Sequence, residues 1–82
     1  MIQPVSYLNT DNCLVTKCGD VAKYNYKNGD VFWFKGLVLH CLEGPAKTWN
    51  HGQDKQWWIY GEQINCSSQE EFERIVKLKA FL

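Results

Sequence analysis

Six side chains in this sequence have the chemistry for metal binding or nucleophilic attack: the thiols of Cys13, Cys18, Cys41 and Cys66 and the imidazoles of His40 and His51. Mixed thiolate and imidazole sets hold zinc when their ligands come in closely spaced pairs. Cys13 and Cys18 are separated by four residues, at the outer limit of that spacing, and Cys41 and Cys66 have no second cysteine beside them. A thiolate nucleophile also needs a base that lowers its pKa, with His40 or His51 in that role. Nothing in the spacing brings such a pair together. The expectation is therefore that His40 bonds a neighbouring turn, that His51 sits on an exposed loop and that the cysteines are small thiols filling the core. Glu43, Asp54 and Glu62 lie near turns, where carboxylates are usually solvated. No catalytic residue, no metal and no cofactor is expected.

The aromatic residues are the second candidate. Trp33, Trp49, Trp57 and Trp58 stand with four Phe and four Tyr in 82 residues, and each can bury on the order of 150–250 Å². A chain this short hides only about 60% of its unfolded surface, so a few large side chains must supply its core. Adjacent residues on a strand point to opposite faces, which leaves one member of each aromatic pair facing outward. Phe32, Trp49, Trp57 and Tyr60 are the candidate outward set, a surface for docking a protein or stacking bases. Acidic and basic residues balance at nine each without a long run of either sign, which argues against a basic nucleic-acid groove and against an acidic DNA mimic. Lys17, Lys23, Lys27, Lys35, Lys47 and Lys55 all precede the acidic start of the C-terminal segment, so a local basic face stays open.

The elements that must position these groups are legible from residue 24 onward, whereas residues 1–20 are weakly patterned. Within that first segment, Asp11-Asn12 is a turn signal ahead of the short apolar run Cys13-Leu14-Val15, a further candidate strand. Tyr24 and Tyr26, then Asn28-Gly29, then Val31 to Phe34 predict a hairpin with a type I′ turn. Phe32 to Cys41 aligns with Trp57 to Cys66 at an offset of twenty-five residues, both reading aromatic-aromatic-apolar-x-Gly-x-x-apolar-polar-Cys. Such a period marks two stacked hairpin units. Gly44-Pro45 and Asn50 to Asp54 bracket a further strand around Ala46 to Trp49. After the second copy the period changes. Ser68 with Glu71 fits a capping box, and Phe72, Ile75, Val76 and Lys79 share one face of a helix over residues 69–80. The predicted class is α+β: one domain in which a small antiparallel β-meander of five or six short strands, with the repeat at 24–66, is packed by one C-terminal helix.

Trp33-x-x-Gly36, His40-x-x-x-Gly44-Pro45-Ala46 and Trp57-Trp58-x-x-Gly61 resemble a short β-repeat of small proteins from tailed bacteriophages, distantly similar to the MORN-type hairpin repeat. The resemblance covers about Tyr26 to Asn65. It departs at Cys41-Leu42-Glu43, where the pattern has Arg-Glu-Asp, and at Asn65, where the second copy lacks the histidine. It implies a compact β-module of phage origin and supplies no active site. The function expected from all this is a non-enzymatic, cytoplasmic protein-binding module, a phage-encoded inhibitor that blocks a bacterial host protein such as a defence effector. The alternatives are a nucleic-acid-binding module using aromatic and lysine side chains, and a small Cys/His metal protein or enzyme. No membrane-spanning stretch or signal peptide is expected. Self-association through an exposed sheet edge is a further expectation.

Overall fold

Eight short strands and one helix make up residues 3–79, the part of the chain described by a computed structural model. In chain order they are β1 (Val5–Leu8), β2 (Leu14–Cys18), β3 (Val21–Asn25), β4 (Val31–Lys35), β5 (Val38–Leu39), β6 (Lys47–Trp49), β7 (Asp54–Ile59), β8 (Glu62–Ile64) and α1 (Gln69–Lys79). All pairings are antiparallel, in the spatial order β1-β2-β3-β4-β6-β7-β8, with β5 also paired to β4. The α+β meander is as the sequence predicts. The strand number is higher because the weakly patterned first segment contributes β1 and β2; in addition, β5 and β6 split one strand position in two.

That split comes from the Gly-Pro-Ala motif. Leu39 pairs Phe34, the amide of His40 bonds Trp33 O at 3.1 Å, and Lys47 then pairs Phe32. Residues 41–46 therefore leave the sheet beside Trp33 and rejoin it beside the same residue, whose amide donates to Ala46 O at 2.7 Å. Pro45 has no amide to place in a ladder, which suits it to this excursion. Ala46 is fully buried where the chain returns. β5 and β6 are thus two halves of one position between β4 and β7.

The hairpin at Asn28-Gly29 forms, but not with the predicted type I′ turn. Tyr26 N donates to Asp30 O at 2.9 Å and Gly29 N to Tyr26 O at 3.0 Å, enclosing a three-residue loop in which Gly29 has φ +95°. Asn28 has no positive φ; its Oδ1 instead accepts from Asp30 N at 3.0 Å. A turn that ends in a left-handed glycine is the usual three-residue alternative. In the first segment Asn9 Oδ1 plays a similar part, accepting from the amides of Asp11 and Cys13.

Register explains where the two cores lie. Tyr7, Val15, Tyr24, Phe32 and Lys47 are successive cross-strand partners and share one face. Cys13, Val15 and Ala22 are buried on that face with Tyr24 and Tyr26 against them. Tyr24 meets Phe34, and Tyr26 meets Phe32, edge to face at 5.3 Å. The second core gathers Trp57, Ile64 and Phe72 beneath α1, with Ile75 and Val76 alongside. Ser68 Oγ caps the helix by accepting from Glu71 N at 3.1 Å, while the Glu71 carboxylate accepts from Ser67 N, one residue earlier than a regular capping box requires. Position 80, assigned to the helix from sequence, lies outside the described residues. Among the described residues no helix is long and apolar enough to cross a membrane.

Candidate functional site

The four aromatics chosen from sequence do not form one surface. Phe32 and Trp49 do belong together: both are half-buried, and Lys47 Nζ lies over both rings, at 5.4 and 5.1 Å from their centroids. Trp57 must be removed from the outward set. It is 5% exposed, it packs on Ile64 and Phe72, and its indole N–H donates to Gln69 Oε1 of α1 at 2.8 Å. The reason is parity along β7. Gln56 pairs Lys47 and so shares the Phe32 face, which turns the next residue, Trp57, to the helix side. Tyr60 is exposed, but it stands at a hairpin turn rather than beside Phe32.

That turn is the most constructed feature of the molecule. Tyr60 and Gly61 join β7 to β8 with φ +48° and +83°, the signs of a type I′ turn. The aligned turn of the first copy is Gly36-Leu37, with positive φ only at Gly36, so the second hairpin turns one residue earlier than the repeat alignment implies. His40 holds it there. Its Nδ1 accepts from Tyr60 N at 2.9 Å, and the two rings lie 4.3 Å apart. Two backbone bonds complete the junction, Cys41 N to Trp58 O at 3.1 Å and Gly61 N to Leu39 O at 2.9 Å. The repeat histidine therefore belongs to the first hairpin and organises the turn of the second.

This contact gives His40 a structural task. Burial and the nearby Lys35 ammonium hold its pKa below the ordinary value, with Asp20 acting weakly the other way. Because Nδ1 accepts a backbone proton, the neutral ring carries its own proton on Nε2. Cys41, the adjacent thiol, is half-buried. Burial and Asp11 push the Cys13 thiol up, and burial and Glu71 push Cys66 up, the opposite of what activates a nucleophile. His51 is exposed in its loop. Among the described residues no three His, Cys, Asp or Glu side chains lie together as a metal site.

Three hairpin turns meet at this end of the sheet. Gly36 N donates to Asp20 O at 2.9 Å, and Lys35 pairs Asp20 at 3.7 Å, which ties the β2–β3 turn to the β4–β5 turn. A Cβ on Gly61 would fall 3.2 Å from Val38 Cβ, so the β7–β8 turn rests on β5. The residues presented outward are Leu37, 98% exposed, Tyr60, 64%, and Val38, 40%. Lys35 Nζ lies over the Tyr60 ring at 5.4 Å. Leu37 and Val38 were missed because their apolar character reads as core; the signal was their place directly after a turn glycine.

The far end of the sheet has a polar groove of about 450 Å³ lined by Asn28, Asp30, Trp49, Asn50, His51 and Asp54. Its carboxylates are engaged locally, Asp30 with Asn28 and Asp54 with Asn50, both at 3.2 Å.

The close approach at Gly61 makes a paired prediction. Gly36→Ala meets open space and is expected to lose about 1 kcal/mol through its left-handed backbone alone. Gly61→Ala adds the collision with Val38 and is expected to lose about 1 kcal/mol more. Urea unfolding of both variants measures the difference; equal losses would mean that the two hairpins do not press together. The chain matches no protein-family model, no curated protein and no solved structure.

Proposed function

We propose that the chain is a non-enzymatic protein-binding module that meets its partner with the hairpin-turn end, Leu37, Val38 and Tyr60. The observation that carries this is the full exposure of Leu37 beside an exposed tyrosine on a rigidly cross-bonded set of turns. The cross-bonded turns hold the backbone that carries these side chains, so little backbone freedom is lost on docking. Tyrosine is enriched among residues that dominate interface energetics. The phage resemblance supports reading the partner as a bacterial host protein that the module blocks, and it supports a cytoplasmic setting.

The experiment is affinity capture from bacterial lysate with nuclease present, identification of the captured protein, and calorimetric titration of the purified pair. Leu37 is so exposed that Leu37→Ser is expected to leave stability within about 0.5 kcal/mol. It is expected to weaken binding at least ~10-fold, the size of a modest hot spot. Undiminished affinity in both Leu37→Ser and Tyr60→Ser would remove this surface from the proposal.

The Lys47 ammonium lying over both Phe32 and Trp49 favours a second reading, single-stranded nucleic acid stacked on that face. Under that reading, capture is lost on nuclease treatment and Lys47→Glu weakens binding in a salt-dependent way.

A further inference from the structure

The two outer strands of the sheet are finished differently. At one edge β8 is three residues long, and its Glu62 is held by Lys79 of the helix at 2.8 Å. At the other edge lies β1, Val5-Ser6-Tyr7-Leu8, which contains no charge and no proline and is exposed along its whole length. Leu8 is 66% exposed, and Leu14 across from it is exposed as well. One side of the β1 backbone is paired with β2; no strand of the described residues pairs the other. Edge strands are normally guarded by lysine, proline or a bulge, because an open ladder invites another strand. Pro4 stands just before β1; lacking an amide it bounds a new ladder to these four residues, but it removes no donor within them.

The shape of the molecule adds to this. The chain measures 40 × 33 × 19 Å with a radius of gyration of 13.4 Å, against about 12 Å for a compact domain of this length. The helix contributes to the core at β7 and β8 only, so the β1 end is a thin sheet. Neither the net charge nor β1 itself repels a second copy: nine acidic and nine basic residues cancel, and Val5–Leu8 carry no charge.

We propose that β1 is a self-association edge, at which a second copy of this chain adds its own β1 antiparallel about a twofold axis perpendicular to the sheet. Such an axis generates the antiparallel arrangement by itself and keeps like faces together. Ser6 then meets Ser6 of the second copy, and Val5 meets Tyr7 on either side. Tyr7 is the cross-strand partner of buried Val15, so the new contacts extend the Cys13, Val15 and Ala22 core from one copy into the next. A strand of four residues makes a small interface, and the dimer is accordingly weak, with a Kd on the order of 0.1 mM.

The test is sedimentation equilibrium from about 10 µM to about 1 mM, a range that brackets that affinity. Wild type is expected to shift from monomer to dimer across it. Ser6→Lys and Ser6→Glu each place like charges opposite each other at the axis and are expected to weaken the dimer at least ~10-fold. Both replace an exposed side chain that bonds the Thr16 hydroxyl, and circular dichroism confirms their fold. Mixed in equal amounts, the two variants are expected to form a heterodimer that neither forms alone. Leu37→Ser is expected to dimerise like wild type, which separates this edge from the hairpin-turn end. A monomeric wild type at every concentration overturns the proposal, as does a dimer indifferent to both Ser6 substitutions or one lost in Leu37→Ser.

Discussion

Phe72→Ala is expected to lower the unfolding free energy by about 3–5 kcal/mol, the range for emptying a buried aromatic site. Phe72 is 1% exposed and is the one buried residue of α1, in contact with a cluster that contains Trp57 and Ile64. A domain of this length has a total stability of about 4–12 kcal/mol, so the loss is a large share of what there is. Little else fastens the helix. Besides half-buried Ile75 and Val76 it is held by the bond from Trp57 to Gln69, by the bond Gln69 Nε2 donates to Leu42 O at 3.0 Å and by the exposed pair of Lys79 with Glu62, and exposed ion pairs contribute roughly 0–1 kcal/mol. Urea titration followed by tryptophan fluorescence and by far-ultraviolet circular dichroism gives the number. Ile75→Ala, at a half-buried position, is expected to cost about 1–2 kcal/mol. A Phe72→Ala loss no greater than that of Ile75→Ala would mean that the helix does not close the core at β7 and β8.

The helix was the most legible element because its signals are local: a cap, two glutamates and an apolar face at one period lie within a dozen residues of one another. The hairpins were legible as hairpins for the same reason, since a glycine between two β-prone runs is enough. What local signals do not carry is register. The repeat alignment placed Gly36 and Gly61 in equivalent positions, yet Gly36 opens its turn and Gly61 closes its own. That difference depends on His40, twenty residues away from Tyr60 in sequence. Trp57 was misplaced for a related reason. Two adjacent tryptophans must face opposite ways, but which one turns to the helix is decided by the pairing of Gln56 with Lys47 across β6. β1 was not predicted as a strand because Val5-Ser6-Tyr7-Leu8 is only four residues long and ends on two adjacent apolar residues, so its alternation at Val5-Ser6-Tyr7 is too short to stand out. The motif histidine was read correctly as a turn-bonding residue, although its turn proved to be in the other repeat.

His40→Ala is expected to cost about 2–4 kcal/mol, combining a vacated buried site with the loss of the acceptor for the Tyr60 amide. Tyr60 already holds a left-handed backbone without being glycine, and the bond to His40 is what offsets that strain. His40→Gln keeps an acceptor oxygen on the side chain and is expected to lose less than half as much. Protonation should weaken the same junction. A charged imidazole donates from both nitrogens, so Nδ1 can no longer accept from Tyr60 N, and Lys35 repels the new charge, whereas Asp20 only partly compensates. The folded protein therefore binds this proton less readily than the unfolded chain, in which the ordinary value is 6.5. Between the lowered folded value and 6.5 the unfolded state holds more protons, and stability rises with pH there. The contribution is whole above that ordinary value, and it is lost as the pH falls toward the folded pKa, with no further loss from this group below it. Urea midpoints measured from pH 8 down to pH 5 are thus expected to fall more steeply for wild type than for His40→Gln. Parallel slopes would show that the histidine linking the two hairpins is not what makes the fold acid-sensitive.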